Sequence, residues 1–240
     1  MAKIFGTPSP YLRERSIHYL SKSTLIAFGG LAIVYVLAQT LPLYPNKTLG
    51  LLVTSIFILA IAIPAYKFYK EDDITSENYY RGRKGESIIL EELKKLPDEF
   101  RVFCDIKIVP LYNIDFLVVG PTGLFTVEVK SHSGVIGYAD EKITINGSVP
   151  KEKDFLKQAK AEAKSISEYL EKEIGADHWV SPVLAFSNLG AKMHFGLNPV
   201  GGVFVVQKGF LLKVFLENKR EAMAKETLLK IENKLDGLII

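Results

Sequence analysis

Two long stretches without charge occupy the first third of the chain, and they limit its fold more than any other feature. Residues 23–46 number 24 and residues 48–66 number 19, and neither stretch contains Asp, Glu, Lys or Arg. About 20 apolar residues in helical conformation span the hydrocarbon core of a bilayer. We therefore predict two transmembrane helices within residues 23–70, joined by a proline-containing turn at residues 41–47.

The charges around these stretches predict their orientation. The first 70 residues contain seven Lys or Arg and one acidic residue, and only Lys47 lies between the two stretches. Because cytoplasmic flanks carry the excess of Lys and Arg, both termini should lie in the cytoplasm of a multi-pass cell-membrane protein. A cleaved signal peptide is disfavoured, since the charged segment before the first stretch is long and a second span follows directly.

Composition changes near residue 70, and this divides the chain. We predict an N-terminal cytoplasmic segment at 1–22, two transmembrane helices at 23–70, a polar linker at 71–80 and an α/β domain at 81–240. The last 170 residues hold 23 basic and 26 acidic residues, so the soluble part is slightly acidic although the whole chain carries +3. The excess positive charge therefore favours a membrane surface.

Residues 81–240 alternate between helical and strand-like patterns. Apolar residues recur at helical spacing in 82–96, and three strand-like runs follow with a Gly-Pro-Thr-Gly turn between the last two. These strands are predicted at 101–109, 112–119 and 124–130, with further strands at 134–138, 142–146, 181–186 and 202–207, and helices at 151–174 and 219–235. This order predicts a mixed sheet with helices on both sides.

Polar residues interrupt the two apolar strands that flank the turn. Burying Asp115 without a partner would cost several kcal/mol, so something should compensate it. Glu128 and Lys130 lie two residues apart and therefore share one face of the next strand. If the strands pair around the turn, Asp115 lies near both. Glu86 should point inward from the preceding helix, on the face of its apolar residues.

Two acids and one lysine in this arrangement have a definite chemical use. Carboxylates bind a hard cation such as Mg²⁺ (or Mn²⁺), and the cation polarises a phosphate while an ammonium offsets charge that develops in the reaction. A structural ion pair between Lys130 and one acid is the plain alternative. The lone Cys104 alternates with apolar strand residues and is expected in the core, and His132 is expected to be a loop residue.

The motifs around these residues resemble those of a known family. The series Gly-x-x-Gly-Glu ending at Glu86, Ile-Asp at Asp115, Gly-Pro-x-Gly, and Glu-Val-Lys at 128–130 is similar to the nuclease-related domain (NERD), grouped with the PD-(D/E)XK nucleases. The resemblance covers about residues 80–190. It implies a restriction-endonuclease-like α/β core in which Asp115 and Glu128 are metal ligands.

The resemblance also implies roles for three further residues. Lys130 matches the catalytic lysine, Glu86 matches the acid of the first helix and a further metal ligand, and Gln158 stands where family members often carry a glutamine. Ile114 replaces the proline of the superfamily's name. We expect the helix around Gln158 to be solvated, because its lysines alternate with acids that include Glu162.

Two functions remain open from the sequence. The first is a membrane-anchored, divalent-metal-dependent nuclease that hydrolyses DNA or RNA at the cytoplasmic face. The second is a membrane-tethered binding or scaffold protein with a nuclease-like fold. The intact Asp115, Glu128 and Lys130 favour the enzyme, whereas the slightly acidic soluble part gives little counterion-release affinity for nucleic acid.

Overall fold

The computed structural model describes residues 1–8, 10–39, 46–108, 112–151, 154–218 and 222–238. The chain forms two compact units. The helical unit comprises Tyr11–Arg81, and the α/β unit comprises Met1–Pro10 together with Gly82–Ile240. Most of the turn predicted at 41–47 lies outside the described residues.

Two long helices make up the helical unit. Helix α1 spans Pro10–Gln39, and α2 spans Lys47–Leu93, so residues 71–80 are helical and α2 continues into the α/β unit. Each helix contains a stretch long and apolar enough to cross a membrane. Apolar side chains along both stretches are exposed, including Leu25 at 75% and Ile56 at 64%. Such a surface suits contact with lipid.

Side-chain contacts show that α1 and α2 run antiparallel. The ring of Tyr19 stacks on that of Tyr79 with centroids 5.7 Å apart. Three residues further along α1, Lys22 Nζ lies 3.2 Å from a carboxylate oxygen of Asp72. Because the partner number falls as the α1 number rises, the two helices form a hairpin.

The α/β unit is built on a six-stranded mixed sheet. Its strands are β1 (Lys3–Phe5), β2 (Arg101–Ile108), β3 (Tyr112–Gly120), β4 (Gly123–Lys130), β7 (Val180–Phe186) and β9 (Phe204–Gln207). They lie in the order β1-β2-β3-β4-β7-β9. Strands β2, β3 and β4 form the predicted antiparallel meander, and β4, β7 and β9 are parallel. The mixed α/β class is therefore confirmed.

A smaller sheet and three helices complete the unit. The order of the smaller sheet is β6-β5-β8. Its strands are β5 (Gly134–Ala139), β6 (Lys142–Ile145) and β8 (Ala191–Lys192). The helices are α3 (Phe155–Ile174), α4 (Lys208–Glu217) and α5 (Lys225–Leu235), followed by a short 3-10 helix, Asp236–Leu238.

Helices cover both faces of the large sheet, because each face is apolar. The end of α2 and helix α4 bury residues such as Leu93 and Phe215 against one face. Helices α3 and α5 bury residues such as Ile166 and Ile231 against the other. Helix α3 begins where the Asp154 side chain accepts hydrogen bonds from two backbone N–H groups, an N-cap that stabilises its first turn.

Strand β1 joins the N-terminus to the α/β unit, which the sequence did not predict. Lys3 N donates to Phe100 O at 3.1 Å, and the ring of Phe5 stacks on that of Phe103. Strand β8 and helix α4 were also not predicted from the sequence. The predicted final helix at 219–235 begins at Lys225 instead, and residues 219–221 lie outside the described ranges.

Candidate active site at the open end of the β3–β4 pair

Strands β3 and β4 are joined by a tight turn and part at the other end. Gly120 pairs with Gly123 across the turn, and the ladder continues to Phe116 and Val127. Beyond that pair, a carboxylate oxygen of Asp115 accepts a hydrogen bond from the backbone N–H of Val129 at 2.8 Å. The Asp115 side chain thus takes the place of a main-chain carbonyl as the acceptor for Val129. This hydrogen bond partly offsets the cost of placing a carboxylate in an apolar strand.

Glu128 and Lys130 share one face of β4, as their spacing predicted, and helix α3 covers that face. Lys130 Nζ donates to Glu128 Oε1 at 2.6 Å and to Gln158 Oε1 at 3.4 Å. The same ammonium lies 4.6 Å from the centroid of the Phe155 ring, within range of a cation–π interaction. The lysine is therefore held by an acid, an amide and an aromatic ring.

Helix α3 brings a further acid into this cluster. Gln158 Nε2 donates to Glu162 Oε1 at 2.8 Å, one helical turn away. Glu162 is 1% exposed, so the prediction of a solvated helix was wrong at this position. Its other oxygen, Oε2, is buried and has no hydrogen-bond partner among the residues that the structure describes. Helical spacing could have revealed this, because Glu162 lies between the buried Ala159 and Ile166.

Glu86 approaches the cluster from α2, and Gly85 makes that approach possible. Glu86 is buried, as its place on the apolar face predicted. A Cβ at Gly85 would lie 2.8 Å from Ser187 Oγ and 3.4 Å from the Cβ of Ser131. The glycine of the Gly-x-x-Gly-Glu motif therefore lets α2 come close to the carboxyl ends of β4 and β7.

Several negative charges share this small volume, and the pKa values reflect it. Burial raises the pKa of Asp115 well above its ordinary value, and Glu128, Glu86 and Glu162 add to the shift. Burial, followed by the charge of Glu128, raises the pKa of Glu162 to about 9. Glu162 is consequently protonated near neutral pH.

Lys130 is the cation of the cluster. Burial favours its neutral amine, but the charge and hydrogen bond of Glu128, together with the charges of Asp115 and Glu162, outweigh burial. The pKa of Lys130 is therefore raised, and the side chain is an ammonium rather than a general base. Against four acids, it leaves the cluster with a surplus of carboxyl groups.

A further buried acid, Asp105, lies on β2 next to β3 and was not predicted. The residue pairs Cys104–Phe116 and Ile106–Ile114 flank it, so Asp105 lies opposite Asp115 in the ladder. Its backbone φ is positive, at 53°. Asn113 Nδ2 donates to Asp105 Oδ1, which gives the asparagine of the Asn-Ile-Asp motif a structural task. Burial raises the pKa of Asp105.

Cys104 and His132 are not members of the acid–lysine cluster. Cys104 is fully buried, and burial, with Glu86 and Asp105, raises the pKa of its thiol to about 12. A thiol with that pKa is unreactive, in keeping with the predicted core position. His132 follows β4, and its ring lies 5.5 Å from that of Phe155.

The donor set matches the chemistry of a hard divalent cation. All four acids offer carboxylate oxygens, the ligands that Mg²⁺ prefers, and Glu162 Oε2 is a buried oxygen without a described partner. Within the described residues, however, no three His, Cys, Asp or Glu side chains are arranged as a ready metal site. The carboxylate of Glu128 forms an ion pair with Lys130.

The sheet, helix α3 and the acid–lysine cluster together define a mixed α/β domain with a carboxylate-rich site. The family model of the nuclease-related domain matches residues 81–187. The matched segment contains every residue of the cluster. No curated protein and no solved structure matches the chain.

Proposed function

We propose that this chain is a membrane-anchored nuclease that uses Mg²⁺ or Mn²⁺ to hydrolyse phosphodiester bonds of DNA or RNA at the cytoplasmic face. The observation that carries the proposal is the surplus of acids around Lys130 within the nuclease-related segment. Crowding three acids beside the Glu128–Lys130 ion pair costs stability in the absence of a ligand, because burial and neighbouring negative charge oppose their ionisation.

Five residues of the cluster have proposed roles. Asp115 and Glu128 would hold the cation, with Glu86 as a further ligand. When bound, a divalent cation polarises the phosphate and makes water a better nucleophile. Lys130 stays protonated and offsets the charge that develops on the phosphate. Gln158 orients Lys130, since its amide oxygen accepts from that ammonium.

The N-terminal strand supports the proposed anchoring. Residues before the first apolar stretch and residues after the second belong to the same folded unit, because β1 pairs with β2. Pairing of this kind requires both to lie on one side of the membrane, as a two-pass hairpin would place them. The basic flanks assign that side to the cytoplasm.

Metal binding is the first test. We would titrate Mg²⁺ and Mn²⁺ calorimetrically into the full-length protein in detergent micelles, in buffers of different ionisation enthalpy. We expect binding accompanied by proton release, because carboxyl groups with raised pKa must lose their protons to accept a cation. The Asp115→Asn/Glu128→Gln variant should lose binding, whereas the matched Asp98→Asn/Glu99→Gln variant of two exposed acids should retain it.

Cleavage is the second test, with labelled single-stranded and duplex DNA and RNA and either cation. Cation-dependent cleavage by the natural sequence and by the Asp98→Asn/Glu99→Gln control would support the enzyme. Absence of both binding and cleavage in a folded protein would favour the scaffold, in which the 2.6 Å Lys130–Glu128 ion pair serves only the fold.

A further inference from the structure

A cleft of about 520 Å³ lies between α3 and the edge of the large sheet, apart from the acid cluster. Its walls include Lys160 and Lys164 of α3, Trp179 directly before β7, and Pro182 and Phe204 of the sheet. We propose that this cleft binds a single-stranded segment of the nucleic-acid substrate, with a base stacked on Trp179 and its phosphates beside the two lysines. The proposal rests on the proposed function, because it assumes a nucleic-acid substrate.

Trp179 is suited to stacking because it is both exposed and fixed. Its side chain is 49% exposed, although an indole is among the most favourable groups to bury. Its Nε1 donates to Ser181 Oγ at 3.2 Å, so the orientation of the ring is set before a ligand arrives. An aromatic ring in this state offers a face to any base, since every base has a π-face.

The two lysines supply the charge that phosphates require. Lys160 and Lys164 are one helical turn apart on the same flank of α3, and both are exposed. Lys164 pairs with the exposed Glu168 at 3.3 Å, a contact that solvent weakens. Lys160 has no ion-pair partner within the described part of the chain. An aromatic ring beside two ammonium groups is the arrangement of a single-strand site.

The cleft is placed to act together with the acid cluster. Glu128 of β4 pairs with Leu184 of β7 in the parallel ladder. Ser181, which lines the cleft, lies on β7 three residues before Leu184. At a strand rise of about 3.3 Å per residue, the cleft lies about 10 Å along the sheet from Glu128. Helix α3 contributes to both, through Gln158 and Glu162 on one flank and the lysines on the other. A few unpaired nucleotides could occupy both places.

The lone tryptophan of the chain gives a direct readout. We would titrate a twelve-nucleotide oligo-dT into the full-length Asp115→Asn/Glu128→Gln protein in detergent micelles with EDTA, so that no cleavage occurs. We expect saturable quenching of Trp179 fluorescence and weaker binding as salt rises. Binding is measured in parallel from the anisotropy of the labelled oligonucleotide.

Variants locate the binding site. Lys160→Gln/Lys164→Gln and Trp179→Ala should each weaken binding by roughly fivefold or more, judged by anisotropy. The matched Lys157→Gln/Lys172→Gln variant removes two exposed lysines of α3 that lie outside the cleft and should bind normally. Glu168→Gln should bind more tightly, because it releases Lys164.

Other outcomes would contradict the proposal that the cleft binds a single strand. Equal binding of a duplex or of polyacrylate would show a general attraction for polyanions. Oligonucleotide binding without any change in Trp179 fluorescence would place the strand elsewhere, and so would no binding at all. The cation-dependent cleavage assay separates these results from a failure of the proposed function. A protein that cleaves but does not quench lacks the cleft site and remains a nuclease.

Discussion

The two ends of the β3–β4 pair differ in what their residues contribute. At the turn end, Gly120 packs against the ring of Phe100, and apolar side chains fill the surroundings. At the open end, the strands part around Asp115, and acids with raised pKa values surround Lys130. One end is arranged for stability, whereas the other tolerates unfavourable electrostatics. Substitutions at the open end should therefore reduce activity with little effect on stability, and substitutions at the turn end should reduce stability with little effect on activity.

The largest expected effect is at the open end. Glu128→Gln should reduce cation-dependent cleavage by at least about a thousandfold, since metal-assisted catalysis contributes several kcal/mol to transition-state stabilisation. Glutamine keeps an oxygen that can accept from Lys130, and loss of the Glu128 charge favours ionisation of Asp115 or Glu162 beside that ammonium, so the midpoint of thermal unfolding should stay within a few degrees. A marked loss of stability together with activity would break the comparison between the two ends.

The turn end should respond in the opposite way to Gly120→Ala. A Cβ there would lie 2.2 Å from two carbons of the Phe100 ring, which is buried. We expect the free energy of unfolding to fall by about 3 kcal/mol, at the upper end of overpacking costs. Cleavage per folded molecule should be unchanged. Gly209→Ala is the matched control, because no atom lies within 4 Å of its added Cβ and alanine favours the helix.

Much of this contrast could be predicted from the sequence, because its signals are local. The period of two in the strands and the Gly-Pro-Thr-Gly turn predict the β3–β4 pair, and the pair brings Asp115 to Glu128 and Lys130. The parting of the strands beyond Phe116 is not predictable in this way. It depends on Asp115 taking the backbone N–H of Val129, a tertiary detail that no spacing encodes.

The missed features depend on distant partners. Strand β1 has three residues, and its pairing partner lies about 100 residues later, so no local pattern distinguishes it from a loop. The alternation of lysines and acids predicts a solvated face for Glu162, but helical position places it between the buried Ala159 and Ile166. The spacing of four residues also brings it to Gln158.

Gly85 tests whether the open end depends on close approach by α2. Gly85→Ala places a Cβ 2.8 Å from Ser187 Oγ and should displace Glu86 from the cluster by a few tenths of an ångström or more. We expect cleavage to fall about tenfold to a hundredfold, as for residues that position catalytic groups. Because the obstructing atom is a hydroxyl, Gly85→Ala/Ser187→Ala should recover part of the activity. Activity that is lower still in the double variant would argue against a steric cause.

The smallest expected effect is a change in how stability depends on pH. The pKa of Glu162 is about 9 in the folded protein and 4.5 as its ordinary value. Below pH 4.5 both states hold the proton. Between pH 4.5 and 9 only the folded state holds it, so the free energy of unfolding falls as pH rises, by at most about 1.4 kcal/mol per pH unit.

Glu162→Gln should remove this loss, because glutamine does not titrate. We expect the variant to be more stable than the natural sequence by about 1 kcal/mol or more at pH 8 and to differ less at pH 5. Urea unfolding monitored by Trp179 fluorescence in micelles measures both differences. Glu171→Gln, an exposed position of the same helix, is the control and should show no such trend. A Glu162→Gln difference that is equal at the two pH values would mean that Glu162 is ionised in the folded protein. The open end would then carry no electrostatic cost at this position, and the contrast with the turn end would rest on Asp115 alone.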